Sequence, residues 1–152
     1  MDTPRLDSKE RPTLTVQELH ALIDVIKDDR DGHQHQLGSL GLRKQELAGL
    51  CWEHIDLEAH RMRIVRTRTI VDAKVIIGQP KKERSKLDVP IPDPVYSSLL
   101  HARAVKRQEM SPAVDRYRDS GLVFVNELGD PVHPDYLTDR WKAACARLAF
   151  RH

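Results

Sequence analysis

The sequence predicts an α+β fold that is mostly helical and carries a small three-stranded antiparallel sheet on one side. Apolar residues recur at helical spacing near both ends of the chain, whereas alternating Val, Ile and Thr residues occur in its middle. No internal repeat or low-complexity linker divides the 152 residues. That length is sufficient for one domain with an apolar core.

The first helix is predicted over about 15–28. Thr15 and Glu18 have the Thr-x-x-Glu spacing of an N-terminal capping box. The apolar positions that follow have helical spacing: Leu19, Leu22, Ile23 and Ile26. Residues 28–39 are polar and contain glycine, which predicts a loop or a poorly formed helix. A second helix is expected over 42–51, with an apolar face that includes Cys51.

Three strands are predicted next, over 63–71, 74–77 and 87–91. A basic hairpin tip, QPKKERSK, joins the last two of them. Prolines then end the sheet and begin a helix over about 94–109. Leu122–Val125 reads as a short buried run, and Pro134 begins the final helix.

Several classes of protein are excluded by composition. No apolar run approaches the roughly 18 residues of a membrane span, and MDTPRLDSKERP has no signal-peptide core. Cys51 and Cys145 lie far apart without a Cys-x-x-Cys motif, which indicates reduced thiols in a cytoplasmic protein. His33 and His35 form a weak His-x-His signal, and the sequence predicts no metal and no cofactor. Residues 1–12 are expected to be flexible.

Positive charge is concentrated in one segment although the whole chain carries only +2. Arg61 to Lys86 contains nine Lys and Arg residues against Asp72 and Glu83, a net charge of +7. Such a stretch is typical of a surface that binds anions, with nucleic acid as the first candidate. A solvated face of a sheet would have the same composition, and the charge pattern leaves both interpretations open.

Arg43 is the first candidate for chemistry. Gly41 permits a tight backbone entry into the predicted helix, so the Arg43 guanidinium would lie at a helix N-terminus, where a phosphate can be bound. Guanidinium binds phosphate with two parallel hydrogen bonds. Glu46, one turn later, could orient Arg43. An ordinary ion pair on a surface helix is the alternative.

Segment 41–58, GLRKQELAGLCWEHIDLE, resembles the start of the catalytic domain of the tyrosine recombinases, the phage integrase family. The predicted sheet with its basic hairpin and the following VPIP resemble that family's three-stranded sheet. GLVFVNELGDPVHPDYLTDRWKAACARLA resembles the family's next segment. The resemblance covers about 13–150 and identifies 13–152 as a partial recombinase catalytic domain, its N-terminal part.

The resemblance implies site-specific DNA recombination and integration, in which a tyrosine attacks a backbone phosphate without a metal. Arg43 matches the family's first catalytic arginine and Glu46 the carboxylate behind it. Lys81 matches the hairpin lysine that protonates the leaving oxygen, and Lys82 is the alternative. Further DNA contacts are expected from basic residues of the sheet and hairpin: Lys82, Arg84, Lys86, Arg66 and Arg68.

The resemblance also predicts that part of the family's catalytic site is missing from these residues. The family's His-x-x-Arg motif and its nucleophilic tyrosine would come after His152, so a truncated fragment unable to cut DNA alone is expected. Tyr96, Tyr117 and Tyr136 precede that position, and Tyr136 is interpreted as helix packing. The alternative is a non-catalytic DNA- or protein-binding module that dimerises or regulates a full-length recombinase. DNA is the expected partner, and a nucleoid-associated location in the cytoplasm is expected, without membrane contact.

The segment before Arg43 departs from the family. The family has an apolar helix there, whereas this chain has DGHQHQLGSL. If His and Gln were buried where the family has aliphatic residues, the folded state would lose several kcal/mol of stability. The loss at each position is on the order of the free energy gained by burying one aliphatic side chain. The sequence therefore predicts that this helix is frayed, rearranged or packed against another part of the protein.

Overall fold

A computed structural model of the chain describes residues 14–79, 88–112 and 115–149. Within these ranges the α-helices are α1 Val16–Ile26, α2 Gly32–Gly38, α3 Lys44–Ala48, α4 Asp93–Met110 and α5 Pro134–Ala149. The strands are β1 Ile55–Asp56, β2 Arg61–Arg63, β3 Thr67–Val71, β4 Lys74–Gly78 and β5 Asp88–Pro90, and Trp52–His54 forms a 3₁₀ turn. The predicted α+β class, mostly helical with small antiparallel sheets, is confirmed. No helix in the described ranges is long and apolar enough to cross a membrane.

The strands form two sheets instead of the single sheet predicted. One sheet has the order β1-β2-β5 and the other is the β3-β4 hairpin, and all pairs are antiparallel. The prediction of one continuous strand over 63–71 is wrong, because β2 ends at Arg63 and the Ile64 side chain enters the core. β3 begins at Thr67, after the chain has passed close under the end of α3.

The β3-β4 hairpin closes with a two-residue turn. Asp72 and Ala73 both have positive φ angles, 49° and 60°. Two consecutive positive φ values are typical of the type I′ turn, whose twist matches that of paired strands. The turn sets the register, in which Val71 pairs with Lys74 and Thr67 with Gly78.

Helix α3 is shorter than predicted. The sequence predicted a helix over 42–51, but the observed helix ends at Ala48 with Gly49 as its C-cap. A Cβ atom at Gly49 would lie 2.9 Å from the carbonyl oxygen of Arg66 and 3.1 Å from the amide nitrogen of Arg68. The chain therefore leaves the helix at the one residue that permits this approach, and Cys51 pairs with Leu122 in an isolated β-bridge instead.

Two apolar clusters hold the helices together. The larger cluster joins residues of α2, α3, α4, α5 and β2 with Val123 and Phe124, and the smaller cluster packs α1 on α5. The capping box of α1 and the positions of α4 and α5 confirm the sequence predictions. The residues predicted to face inward from α4 are all buried: Val95, Leu99 and Ala102.

Segment 32–38 is a buried helix, so the prediction of a loop or a poorly formed helix is wrong. The His33 ring stacks on Phe124 with the ring centroids 5.0 Å apart. The amide nitrogen of Gln34 donates to the carbonyl oxygen of Leu137 at 2.5 Å. The His35 ring packs on Trp141 at 5.3 Å. The polar side chains remain inside because ring contacts and a backbone acceptor replace part of the solvation they lose.

Arg30 fixes the start of this buried helix. Its Nε and Nη2 atoms donate to the two carboxylate oxygens of Glu109 on α4, at 2.6 and 2.9 Å. Its Nη1 atom donates to the carbonyl oxygen of Val125 at 3.0 Å. The hydrogen bonds to Glu109 raise the pKa of Arg30, so the clamp stays charged.

We predict that Gly49→Ala destabilises the protein by about 1–3 kcal/mol, because the new methyl group meets backbone atoms that have to shift. Urea unfolding followed by circular dichroism measures the change in unfolding free energy. Gly38→Ala is the matched control, because its Cβ would meet no atom within 4 Å. Equal stabilities of the two variants would contradict the close approach.

We also predict that the free energy of unfolding decreases as the pH is lowered from about 6.5 to about 5. Burial is the largest cause that lowers the pKa of both His33 and His35 to about 4, so between these values the unfolded chain binds more protons than the folded one. Each histidine then contributes a slope of at most about 1.4 kcal/mol per pH unit. Asp31 and Arg30 act on His33 in opposite directions and less than burial does.

Urea titrations from pH 5 to pH 7.5 measure this slope. His33→Phe keeps the stacked ring and should reduce the slope, while His20→Gln on the exposed face of α1 should leave it unchanged. A wild-type slope in His33→Phe would show that the buried ring does not titrate as described.

Candidate nucleic-acid interface

Arg43 is the N-cap residue of α3. Its backbone is extended, with φ −77° and ψ 152°, and Gly41 before it has the positive φ of 82° that the entry requires. The Arg43 amide donates to Glu46 Oε2 at 2.9 Å, and Glu46 is buried. The carboxylate therefore fixes the backbone under Arg43, while the Arg43 side chain is exposed. No carboxylate among the described residues forms an ion pair with its guanidinium.

The start of α3 offers little helix dipole. The helix has only five residues, and one of the amides at its start is already satisfied by Glu46. A dipole summed over so few peptide units is small. Any phosphate held here would therefore depend on the charge of the Arg43 guanidinium rather than on the helix end that the sequence suggested.

The N-terminus of α5 lies beside that of α3. Lys44 Nζ contacts Asp135 Oδ1 at 2.8 Å, across 91 residues of sequence. This hydrogen bond is the largest cause that lowers the pKa of Asp135. The Asp135 amide donates to His133 Nδ1 at 3.0 Å, which places an imidazole at the same edge. Sequence reasoning missed Lys44 and His133, because no local spacing indicates a contact over that distance.

Arg66 and Arg68 are directed into the protein. Arg68 is only 7% exposed, and its Nη1 atom donates to the carbonyl oxygen of Val132 at 2.7 Å. Burial lowers the pKa of Arg68. Arg66 donates from Nε to the carbonyl oxygen of Gly49 at 3.3 Å and from Nη2 to the sulfur of Cys51. These contacts connect the start of β3 to the segment that follows α3 and to the segment before α5, and both guanidinium groups are occupied.

The remaining basic residues of segment 61–86 divide into three groups, the first of which is Lys74 alone, exposed at the start of β4. Arg61 and Arg63 are exposed on β2, and each lies near Asp88 on β5, at 3.7 and 3.6 Å. Four predicted residues lie outside the described ranges: Lys81, Lys82, Arg84 and Lys86. The pairing of Arg43 with a hairpin lysine therefore stays a prediction.

The three tyrosines are engaged elsewhere. The Tyr96 ring stacks on His60 with the centroids 4.2 Å apart. The Tyr136 hydroxyl donates to Asp31 Oδ2 at 3.0 Å, and burial, followed by this carboxylate, raises the pKa of Tyr136. Burial also raises the pKa of Tyr117. A raised pKa disfavours the phenolate, so neither of these two environments activates a nucleophile.

His33 and His35 do not share a ligand position, because their rings pack on Phe124 and Trp141 respectively. Within the described part of the chain, one other group has metal-ligating side chains close together. It consists of Cys51, Glu53 and His54, within the sequence GLCWEH.

No family model matches the chain. A curated protein from Caldanaerobacter subterraneus subsp. tengcongensis, "Tyrosine recombinase XerC-like", is 32% identical over 137 residues. The match covers 79% of this chain and 35% of that protein, so the chain spans about a third of its relative's length.

Solved structures of the Tn1549 transposon integrase share the fold. Its complex with transposon right-end DNA matches with a TM-score of 0.65 at 18% identity, over 91% of this chain and 48% of that one. Its complex with circular intermediate DNA matches with a TM-score of 0.58 at 17% identity, over 91% and 49%. The motifs, the curated relative and the fold agree: the chain is similar to a part of the tyrosine recombinases, the family also called the phage integrases.

Proposed function

We propose that this chain binds the phosphate backbone of DNA and contributes one catalytic arginine, Arg43, to a recombinase site for DNA recombination or integration. The observation that carries the proposal is the arrangement of Arg43, whose side chain is exposed while the buried Glu46 holds its backbone. The similarity to a curated tyrosine recombinase and to integrases solved with DNA supports it.

A fixed guanidinium suits this role. Negative charge develops on the phosphate oxygens as the backbone is attacked, and a cation already in position stabilises that charge without reorganising. The Glu46 contact prevents the start of α3 from shifting when the side chain binds an anion. Lys81 is the proposed proton donor to the leaving oxygen, with Lys82 as the alternative, and a lysine can serve so only where DNA covers it and lowers its pKa.

We further propose that these 152 residues do not cleave DNA by themselves. Tyr96 is stacked, Tyr117 is partly buried and Tyr136 is bonded to a carboxylate, and none occupies the nucleophile's place in the family pattern. Loss of one member of a site that acts as a unit removes most of the rate.

We predict that Arg43→Ala weakens binding to a duplex of mixed sequence by about 10- to 100-fold, because a charge-assisted contact contributes about 1.5–3 kcal/mol. The slope of log K against log salt should fall by about one unit. Fluorescence anisotropy at several salt concentrations measures both quantities. Unfolding stability should not change, because the side chain is exposed.

Lys27→Ala is the control for this measurement. It also removes one exposed positive charge, but from the end of α1, which packs on α2 and α5. Its salt slope should remain that of the unmodified chain. Equal slopes for Arg43→Ala and Lys27→Ala would mean that Arg43 does not contact phosphate.

Segment 79–86, which the sequence predicted to be a basic hairpin tip, connects β4 of one sheet to β5 of the other and is tested separately by Lys81→Ala combined with Lys82→Ala. We expect the salt slope to fall by roughly two units if both lysines contact phosphate, because each lost contact reduces it by about one. Charge-matched replacement by arginine at both positions should preserve the slope. An unchanged slope in the double alanine variant would mean that Lys81 and Lys82 do not contact the DNA backbone.

We predict no covalent adduct when the chain is incubated with nicked duplexes of randomised sequence. Such nicks trap a phosphotyrosyl intermediate because the short leaving strand diffuses away. Denaturing gels detect the adduct. An adduct that disappears when Tyr96, Tyr117 and Tyr136 are all changed to Phe would overturn the proposal that the chain cannot cleave alone.

A second candidate function is a protein-binding module that dimerises or pairs with a full-length recombinase. One observation favours it: apolar residues of the β3-β4 hairpin are exposed, namely Val71, Val75, Ile76 and Ile77. Exposed apolar strands are typical pairing surfaces. Light scattering over a range of concentrations separates the two candidates, since a monomer that binds DNA would exclude pairing with itself.

A further inference from the structure

We propose that the turn at Cys51, Glu53 and His54 is a binding site for Zn²⁺, a property separate from the proposed DNA binding. One ligand atom from each residue lies within 4.8 Å of the other two. The donors are a sulfur, an imidazole nitrogen and a carboxylate oxygen. This mixed set suits Zn²⁺, whereas Mg²⁺ and Ca²⁺ prefer oxygen alone.

The backbone of the turn brings the ligands together. Trp52–His54 is a 3₁₀ turn with Cys51 as its N-cap, and the His54 amide donates to the carbonyl oxygen of Cys51 at 3.1 Å. In a 3₁₀ turn residues i and i+3 lie on the same side. The Cys-x-x-His spacing of the sequence therefore becomes two adjacent ligands. Sequence reasoning missed it because Cys51 had been assigned to the apolar face of a longer helix.

The separations are close to those of a tetrahedral site. Zinc bonds of 2.0–2.3 Å imply ligand atoms about 3.2–3.7 Å apart. His54 Nε2 and Glu53 Oε1 are 3.8 Å apart. Glu53 has a side chain that is 73% exposed, so it can move to complete the site.

Backbone hydrogen bonds of the residues on either side of Cys51 hold its position. Cys51 is 2% exposed, and the Trp52 amide that follows it donates to the carbonyl oxygen of Gly121 at 2.9 Å. Val123 donates to the carbonyl oxygen of Leu50 at 3.0 Å on the other side. Two hydrogen bonds from the 121–123 segment thus fix the turn before any metal binds, which reduces the ordering that binding requires.

The Arg66 guanidinium places one positive charge beside the proposed metal site. Its Nη2 atom donates to the sulfur of Cys51. Zn²⁺ would replace the guanidinium beside the sulfur, and Arg66 would keep its bond to Gly49. Arg66 and the metal therefore compete for one sulfur.

The test uses the whole 152-residue chain after treatment with a chelator. Calorimetric titration with Zn²⁺ should show one equivalent bound. Co²⁺ in its place should give the intense near-ultraviolet band of a sulfur-to-cobalt charge transfer. Cys51→Ser should remove the band, whereas Cys145→Ser, which changes the chain's other thiol, should retain it.

Two variants keep the test decisive if Cys51→Ser fails to fold. Glu53→Gln and His54→Ala change side chains that are not buried, and each should weaken Zn²⁺ binding at least about tenfold. His133→Ala is the control for adventitious histidine binding. Arg66→Gln should tighten Zn²⁺ binding, because it removes the competing cation.

Three results would overturn the site. They are the absence of Zn²⁺ binding, a cobalt band that survives Cys51→Ser, and an affinity unchanged in both Glu53→Gln and His54→Ala. DNA binding is measured without metal, so a failed zinc site leaves the proposed function standing, and loss of DNA binding leaves the zinc result standing.

Discussion

The close approach of Gly49 to β3 is the constraint on which the site depends. A Cβ atom at this position would lie within 3.1 Å of three backbone atoms of residues 66–68. Because only glycine fits, α3 ends there and its last turn lies directly on the strand. Arg66 can then reach the carbonyl oxygen of Gly49 and the sulfur of Cys51, and Arg68 extends past the junction to Val132. One backbone contact thus decides the direction of two guanidinium groups.

Where Gly49 meets the start of β3, basic side chains bind other groups of the protein. A run of basic residues suggests a DNA-binding surface, yet every described arginine from 61 to 68 has a partner within the protein: Arg61, Arg63, Arg66 and Arg68. Desolvating a guanidinium is costly, so such groups remain inside only where carbonyl oxygens receive them. Among the described residues, the basic side chain best placed for an external phosphate is Arg43, whose backbone is held by Glu46.

The buried helix α2 shows how polar residues can occupy an apolar position in a fold. His33 and His35 remain neutral because burial lowers their pKa values, and the neutral His33 ring stacks on Phe124 while the His35 ring packs at a tilt on Trp141. The charged groups stay at the rim, where Arg30 binds Glu109 with two hydrogen bonds. The helix keeps its place between α4 and α5 at the expense of stability in acid.

Local spacing, capping and motif order were sufficient to predict the fold class, the resemblance to the tyrosine recombinases, the bounds of the long helices and the position of Arg43 at the start of α3. They were not sufficient to predict the division of the strands into two sheets, the burial of His33 and His35, or the direction of Arg66 and Arg68, which depend on the three-dimensional packing. That packing also brought Lys44 to Asp135 and left Cys51 outside a helix. These features depend on which distant segments meet, and a one-dimensional pattern does not contain the distances on which desolvation and backbone contact depend.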